Sequence, residues 1–311
     1  MTGDTPLVET GAGGAPDAVR PIFGTLALVG IGLIGSSIAR AVRRFGLADR
    51  IVIADHDAHA RAAARRLELG DQVVATAAEA AAVADCVVLC TPLGTFEAVA
   101  QEIAPALRPG TVVTDVGSVK DCVVRDVAPH LPEGVHLVPG HPLAGTEHSG
   151  PEAGFAELFL GRWAILTPPE GTDAGAVAQV EALWRGMGSM VRHLPSEHHD
   201  KVLAITSHLP HLIAYTIVGT ATQLGDDLRE EVIQYSATGF RDFTRIAASD
   251  PIMWRDVFLK NRDAVLEIIQ RFGEDLTELQ KAIRRGEADK LEDLFTRTRA
   301  IRRGIIDAKQ A

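Results

Sequence analysis

A glycine-rich turn near the start of the chain is the feature that most limits the folds open to it. The apolar residues 26–29 predict a strand, and helical character begins at Ser36. Between them lies the turn Gly30-Ile31-Gly32-Leu33-Ile34-Gly35. A strand, a G-x-G-x-x-G turn and a helix in this order predict the first unit of a dinucleotide-binding Rossmann-type fold.

The second predicted strand, residues 51–54, ends on Asp55, which lies 20 residues after Gly35. An acidic side chain here accepts hydrogen bonds from an adenosine ribose, while N–H groups at the helix N-terminus bind the pyrophosphate. No arginine directly follows Asp55 to bind a 2′-phosphate, so the sequence favours NAD over NADP as the cofactor. A glycine-rich turn in some other α/β domain is the alternative at this point.

Composition narrows the choice of partners and compartment. The 311 residues suffice for about two domains, and a net charge of −10 argues against nucleic acid or an anionic membrane as a partner. The three cysteines have no metal-ligand spacing, which is typical of reduced thiols in a cytoplasmic protein. We expect no membrane helix, because no continuous apolar run approaches the required ~18 residues. Residues 1–20 are rich in glycine and proline and predict a flexible tail.

The order of elements predicts two domains of different class. Residues 21–195 alternate strands with helices, which predicts a doubly wound parallel sheet covered on both faces. The eight predicted strands are 26–29, 51–54, 72–75, 86–90, 111–116, 135–138, 163–166 and 191–194. Residues 196–311 have helical spacing only and predict an all-α domain. Its extensive apolar faces favour a homodimer through this domain, and a monomer with helices packed on themselves is the alternative.

Two loops after predicted strands carry polar residues suited to catalysis. Ser118 follows the fifth strand and His141 follows the sixth, and ligands of open α/β sheets bind at the carboxyl ends of the strands. His141 lies between Gly140 and Pro142 in what we interpret as a constrained turn, and a histidine can accept the proton released when an alcohol is oxidised. Alternatively, His141 is a structural turn residue and Ser118 caps a helix over residues 119–127.

The first helix of the second domain carries a polar group of residues in an apolar setting. Ser207 and His211 are four residues apart and share a helix face, with His208 beside them and Pro210 interrupting the backbone hydrogen bonds. Polar groups in such a helix are costly unless they serve a site. Helix–helix hydrogen bonding and metal binding by the two histidines are alternatives, but no third metal ligand is evident.

A later segment of the second domain offers a binding group for a carboxylate. Arg245 lies among apolar residues that include Trp254, which predicts a partly desolvated guanidinium in need of an anion. Asp242 could pair with Arg245 when the site is empty. The alternative is a permanent structural pair of Arg245 with Asp242 or Asp250.

Together these motifs resemble those of the prephenate dehydrogenase family, which includes cyclohexadienyl and arogenate dehydrogenases of tyrosine biosynthesis. The resemblance runs from Leu26 to Asn261 and rests on the order of its motifs. These are the glycine turn, Thr91-Pro92, residues 115–120, 141–150, 207–211 and 239–254. The chain departs from the family in its glycine-rich tail, and we expect neither a fused chorismate mutase segment nor a C-terminal regulatory domain.

The resemblance implies roles for individual residues. His141 would be the base on the ring hydroxyl and Ser118 its assistant, while the glycine turn, Asp55, Thr91 and Pro92 would bind NAD. The substrate residues would be Arg245, Ser207, His211, Glu147, Trp254 and Asp242. The substrate would be prephenate or arogenate, and the enzyme would be a homodimer. From the residues themselves we expect no metal, because His208 and His211 have no third ligand of matching spacing.

Two other functions fit parts of the sequence. A dehydrogenase or imine reductase of the β-hydroxyacid group would have a catalytic lysine with an asparagine four residues later, whereas Lys201 is followed by Ile205 at that spacing. A non-catalytic NAD sensor would need the glycine turn and Asp55, but not His141 or Arg245. His211 and the neutral groups around it favour prephenate over arogenate as the substrate.

Overall fold

The computed structural model describes residues 21–223, 234–235 and 237–307. It divides into two compact units, with the boundary between Pro195 and Ser196. The tail predicted at residues 1–20 lies outside the described residues.

The first unit is built on a six-stranded parallel sheet. Its strands are β1 (Phe23–Val29), β2 (Ala48–Ala54), β3 (Gln72–Val74), β4 (Cys86–Leu89), β5 (Val112–Asp115) and β6 (His136–Val138). They lie in the order β3-β2-β1-β4-β5-β6, in which the strand order reverses between β1 and β4. Strands β4 and β5 are buried along their whole length, as expected of a parallel sheet with both faces covered. The predicted Rossmann-type sheet is confirmed.

Helices connect these strands and cover the sheet. They are α1 (Leu33–Phe45), α2 (Ala58–Arg66), α3 (Ala77–Ala81), α4 (Phe96–Ile103), α5 (Asp121–Val127) and α6 (Ala174–Gly186). Helix α1 ends at Gly46 in the left-handed conformation, the usual helix stop. Helix α2 ends at Arg66, and two residues later Glu68 has a φ of 52°, a value that no α-helix continues through. Helix α4 gives way to a 3-10 turn that contains Pro105, which cannot donate a backbone hydrogen bond.

A second, three-stranded sheet differs from the sequence prediction. It contains β7 (Gly140–Pro142), β8 (Trp163–Leu166) and β9 (Met190–His193), with β7 antiparallel to β8 and β8 parallel to β9. The last two predicted strands exist, but they do not extend the parallel sheet. Strand β7 was not predicted, because three residues with glycine first and proline last carry no strand pattern.

The regular elements of the second unit are helical in its described part, so the predicted all-α domain is confirmed there. They are α7 (Ser196–Leu203), a π-helical turn (Ala204–His208), α8 (Leu209–Thr222), α9 (Thr238–Thr244), a 3-10 turn (Arg245–Ala248), α10 (Pro251–Lys260), α11 (Arg262–Arg285) and α12 (Ala288–Asp307). The irregularity predicted around Pro210 takes the form of the π-helical turn, where the Leu209 N–H donates to the Ala204 carbonyl five residues earlier. Extra residues in a turn are one way to accommodate a proline whose ring would meet the carbonyl four residues back.

The continuous helical segment from Ser196 to Ala221 corrects one expectation. It is 26 residues long and, by length and composition, could cross a membrane, whereas the sequence reading expected no such segment. Core and interface helices of water-soluble proteins meet the same criterion, so the finding is weak evidence for a membrane. Only 28% of its most apolar window is buried within the single chain.

Candidate active site

The glycine turn has the geometry of a dinucleotide cradle. Gly30 has a φ of 95°, a value that favours glycine, and its N–H donates to the Ala54 carbonyl at 2.8 Å. A Cβ placed on Gly35 would lie 2.3 Å from the Gly30 oxygen, so any side chain there would push the helix away from the strand. Gly32, the N-cap of α1, faces open space, since a Cβ there would meet nothing within 4 Å. A phosphate can therefore approach the backbone beside Gly32.

Asp55 is tied to the same turn by hydrogen bonds. One carboxylate oxygen accepts the Ile31 N–H and the other accepts the Asp57 N–H, both at 2.9 Å. The side chain is only 12% exposed, yet each oxygen keeps a further lone pair for a ribose hydroxyl. An open cavity of about 330 Å³ adjoins these groups, and its lining includes Gly32, Asp55 and, from farther along the chain, Gly150, Pro151 and Glu152. The residues present thus fit an adenine dinucleotide.

The other predicted cofactor residues lie beside or within this turn. Leu33 and Ile34 are half-buried at the start of α1, whose first turn has no acidic residue to repel a phosphate. Thr91 is half-buried and close to the turn, because its methyl would lie 3.0 Å from a Cβ placed on Gly30. Pro92 is exposed directly after Thr91.

Ser118 lies in the loop between β5 and α5, close to the carboxyl end of its strand. Helix α5 begins at Asp121 and has Lys120 as its N-cap, so the alternative of Ser118 as a helix cap, and of a helix starting at residue 119, is wrong. The loop is instead held by the buried side chains of Asp115 and Lys120. Burial raises the pKa of Asp115, and the Lys120 ammonium acts in the opposite direction. Ser118 itself is half-buried.

His141 lies in strand β7, not in a turn. It is 8% exposed and stands opposite Ile165 of β8, so its backbone is fixed by sheet pairing. Strand β7 follows β6 after a single residue, which brings His141 to the carboxyl edge of the parallel sheet, the edge that carries Gly30 and Asp55.

The segment after β7 connects His141 to the nucleotide cavity. Glu147 is exposed within this segment. Farther on, Gly150 and Pro151 line the cavity, and the Phe155 N–H donates to the Ser37 hydroxyl of α1 at 3.2 Å. Both ends of the segment are therefore anchored within the first unit.

In the second unit, Ser207, His211 and Trp254 form one cluster. The ring of His211 stacks on the Trp254 indole at a centroid distance of 3.6 Å, and its Nδ1 lies 2.9 Å from the Ser207 carbonyl oxygen. A carbonyl only accepts, so Nδ1 carries a proton and Nε2 of the neutral ring is an acceptor. Burial, and then the charge of Arg245, lowers the pKa of His211, so the ring is neutral at pH 7.

The neighbouring His208 belongs to a buried polar network. Its Nδ1 lies 3.1 Å from the Asn261 amide nitrogen, and the same amide donates to the Asp200 carbonyl at 2.9 Å. His208 is completely buried, and burial lowers its pKa to about 4. Sequence reasoning missed Asn261 because its partners precede it by more than 50 residues. Among the described residues, no group of three or more His, Cys, Asp or Glu side chains is arranged to hold a metal ion.

Arg245 begins the 3-10 turn after α9, and its environment differs from the prediction. The side chain is exposed, and so is that of Phe243, whereas a partly desolvated guanidinium was expected. Its charge nevertheless acts on His211, as the lowered pKa of that histidine indicates. Asp250 accepts the N–H groups of Ile252 and Met253 as the cap of α10. Asp242 is exposed on α9.

Comparison with known proteins identifies the family. Residues 38–193 match the family model for the prephenate dehydrogenase nucleotide-binding domain, and residues 195–297 match that for the prephenate dehydrogenase dimerization domain. The chain belongs to the prephenate dehydrogenase family.

Individual members of the prephenate dehydrogenase family resemble the chain over most of its length. It is 41% identical over 281 residues to cyclohexadienyl dehydrogenase of Zymomonas mobilis, with 90% of this chain and 96% of the relative covered. The crystal structure of prephenate dehydrogenase from Aquifex aeolicus with hydroxyphenyl propionate and NAD⁺ matches at 33% identity and a TM-score of 0.85, covering 93% of this chain and 100% of that one. Arogenate dehydrogenase of Synechocystis matches at 26% identity and a TM-score of 0.75, covering 90% and 99%.

Membership of the prephenate dehydrogenase family makes the chain a dehydrogenase with a nucleotide-binding domain. It rules out the β-hydroxyacid group as the family of the chain. The relatives include prephenate, arogenate and cyclohexadienyl dehydrogenases, so the family leaves the substrate open between prephenate and arogenate.

Proposed function

We propose that this chain catalyses the NAD-dependent oxidative decarboxylation of prephenate to 4-hydroxyphenylpyruvate in tyrosine biosynthesis. The observation that carries the proposal is a buried histidine, His141, at the sheet edge that also bears a dinucleotide cradle. A base beside the nicotinamide end of a bound dinucleotide is what oxidation of an alcohol requires. The second activity of the same site would be the conversion of arogenate to tyrosine.

The chemistry assigns each step to a group of the protein. His141 accepts the proton of the ring 4-hydroxyl while the hydrogen on C4 departs as hydride, so C4 becomes a carbonyl carbon. When bound, NAD supplies the acceptor for that hydride. The bond between the ring and its carboxylate then breaks, carbon dioxide leaves, and the released electron pair makes the ring aromatic. His141 returns its proton to the phenolate oxygen, so the base is regenerated, and Ser118 would assist by hydrogen bonding.

Substrate binding is assigned to the second unit and to Glu147. We propose that Arg245 binds a substrate carboxylate, which an exposed guanidinium can do in bidentate fashion. The cluster of Ser207, His211 and Trp254, together with Glu147 and Asp242, would contact the rest of the substrate. The neutral His211 with an acceptor at Nε2 also suits the ammonium group of arogenate, and this observation favours arogenate as the second substrate.

We also propose a cytoplasmic homodimer formed through the second unit. Large apolar side chains are exposed there in the single chain, and a partner would cover them: Leu259, Leu266, Ile283, Phe295 and Ile301. The helix from Ser196 to Ala221 is explained in the same way. Light scattering coupled to size exclusion should give twice the chain mass, and a monomer at micromolar concentration would contradict this part of the proposal.

The decisive experiment follows NADH or NADPH absorbance with four combinations of prephenate or arogenate and NAD or NADP. We expect turnover of prephenate with NAD, weaker turnover of arogenate, and little activity with NADP. The Asp55 carboxylate would repel a 2′-phosphate, and the nearby Arg61 guanidinium donates to the carbonyl oxygens of Asp55 and His56. A non-catalytic NAD sensor would bind NAD in calorimetry and turn over neither substrate. Preference for arogenate would leave the mechanism intact and overturn the substrate assignment.

A further inference from the structure

A buried ion pair links the two segments that carry Ser118 and His141. The Lys120 ammonium contacts the Asp115 carboxylate, and both side chains are fully buried. Lys120 also donates to the Gly140 carbonyl oxygen at 2.6 Å. Asp115 accepts the N–H groups of Gly140 at 3.1 Å and Gly117 at 2.7 Å.

The backbone groups held by this pair adjoin the two residues assigned to catalysis. Gly117 directly precedes Ser118, and Gly140 directly precedes His141. Asp115 ends β5 of the parallel sheet, while Gly140 begins β7 of the second sheet, so the pair joins two sheets at the catalytic edge.

Close packing makes this arrangement specific. A Cβ on Gly117 would lie 2.9 Å from the Asp115 carboxylate and 2.5 Å from Leu93, so only glycine lets that N–H reach the carboxylate. A Cβ on Gly140 would lie 3.2 Å from both the Asp115 carbonyl oxygen and Leu166. A buried ion pair is a poor source of stability compared with apolar residues of the same size, because both charges lose their hydration. The geometry of this pair is better explained by the backbone groups of Gly117 and Gly140 to which it is hydrogen-bonded.

We infer that Asp115 and Lys120 are positioning residues that fix the Ser118 hydroxyl relative to the His141 imidazole by holding Gly117 and Gly140. This inference rests on the proposed function, which assigns the proton transfer to His141. It assigns no contact with substrate or cofactor to either charged side chain. Displacement of about 1 Å in a catalytic group costs roughly 10²-fold in rate.

The test variant is the double substitution Asp115→Asn with Lys120→Met. It removes both charges together, so the net charge near His141 stays the same and no buried charge is left alone. Lys120→Met by itself is the second variant, and Arg108→Met, which removes an exposed cation of the same unit, is the control. Each is measured for kcat and KM with prephenate, for the pH profile of kcat, and for the Kd of NAD by calorimetry.

We expect the double variant to lose about 10²-fold in kcat, to bind NAD within threefold of wild type and to show a displaced acid limb in its pH profile. The Arg108→Met control should match wild type. A folded double variant with wild-type kcat and an unchanged profile would overturn the inference. So would failure of both Lys120 variants to fold, since the pair would then serve stability.

Comparison with His141→Asn separates this inference from the proposed function. If His141→Asn turns over normally, the proposed base is wrong. If His141→Asn is inactive while the double variant is fully active, only the positioning role is wrong. In a His141→Asn background the double variant should cause little further loss in residual turnover, because effects transmitted through one group are not additive. A full additional 10²-fold loss would contradict action through His141.

Discussion

The burial of His208 leads to a measurable dependence of stability on pH. Its pKa is about 4 in the folded chain because the imidazole is buried, whereas an unfolded chain has a histidine pKa of about 6.5. Between these values, only the unfolded chain takes up the proton. The contribution of His208 to the free energy of unfolding is therefore present above about pH 6.5 and is lost as the pH falls toward 4.

The size of this contribution follows from the difference between the two pKa values. The separation between about 4 and about 6.5 corresponds to roughly 3 kcal/mol when the pH lies below both values. Between pH 7 and pH 4.5, where the transition is incomplete, the loss is about 2 kcal/mol. That is a large part of the 5–15 kcal/mol by which proteins of this kind are stable.

The assay is urea unfolding at pH 7 and pH 4.5 of wild type, His208→Gln and the control His198→Gln, all at one protein concentration. His198 is an exposed histidine of α7, so its replacement should leave the pH dependence unchanged. His208→Gln should be less stable than wild type at pH 7, and its further loss on acidification should be smaller by about 2 kcal/mol. Other titrating groups cancel in this difference. Equal losses for wild type and His208→Gln would refute the assignment of a buried neutral imidazole.

Three further predictions concern binding and specificity. Arg245→Gln should raise the KM for prephenate by about 10- to 100-fold with little change in kcat, because a charged hydrogen bond is worth about 1.5–3 kcal/mol. The control is Arg241→Gln, which replaces an arginine one helical turn earlier and should leave KM unchanged. Gly35→Ala should weaken NAD binding in calorimetry by at least about tenfold, since its Cβ would lie 2.3 Å from the Gly30 oxygen. The ratio of kcat/KM for arogenate to that for prephenate should rise with pH in the acidic range and level off by pH 8. The pKa of His211 lies below its ordinary value, and only the neutral ring offers Nε2 as an acceptor.

Each of these predictions has a result that contradicts it. An unchanged KM for Arg245→Gln would assign that side chain to a structural ion pair. Wild-type affinity of Gly35→Ala for NAD, with Gly273→Ala as the helical control, would show that the turn tolerates a side chain. A substrate ratio that does not vary with pH, or that varies equally in His211→Gln, would remove His211 from substrate discrimination.

Local patterns in the sequence account for most of the first unit. The signals are local: apolar strand residues, the glycine turn, and helix stops such as Gly46. Each involves residues close together in the chain, so the sequence pattern alone predicts the elements. The turn residues and Asp55 could be assigned to a cofactor for this reason. The apolar helical spacing of the second unit allowed its helices to be predicted in the same way.

The arrangement around the proposed catalytic residues could not be predicted from the sequence, because it depends on contacts between residues that are distant in the chain. The strand that carries His141 forms by pairing with β8, some 25 residues later in the chain. Its own sequence, Gly-His-Pro, is unfavourable for a strand, so local propensity did not predict it. Asp115 and Lys120 belong to a motif seen in the sequence, but their hydrogen bonds to Gly140 form only because the fold brings β5 and β7 together.

In the second unit, the electrostatic environment of the two histidines also depends on tertiary packing. His208 and His211 are three residues apart and look alike along the chain, yet one is fully buried beside Asn261 and the other stacks on Trp254. Residue type and spacing specify which helix face a side chain occupies, whereas its pKa depends on how much water packing removes from around it. Desolvation is a property of the assembled core, and a linear sequence does not contain it.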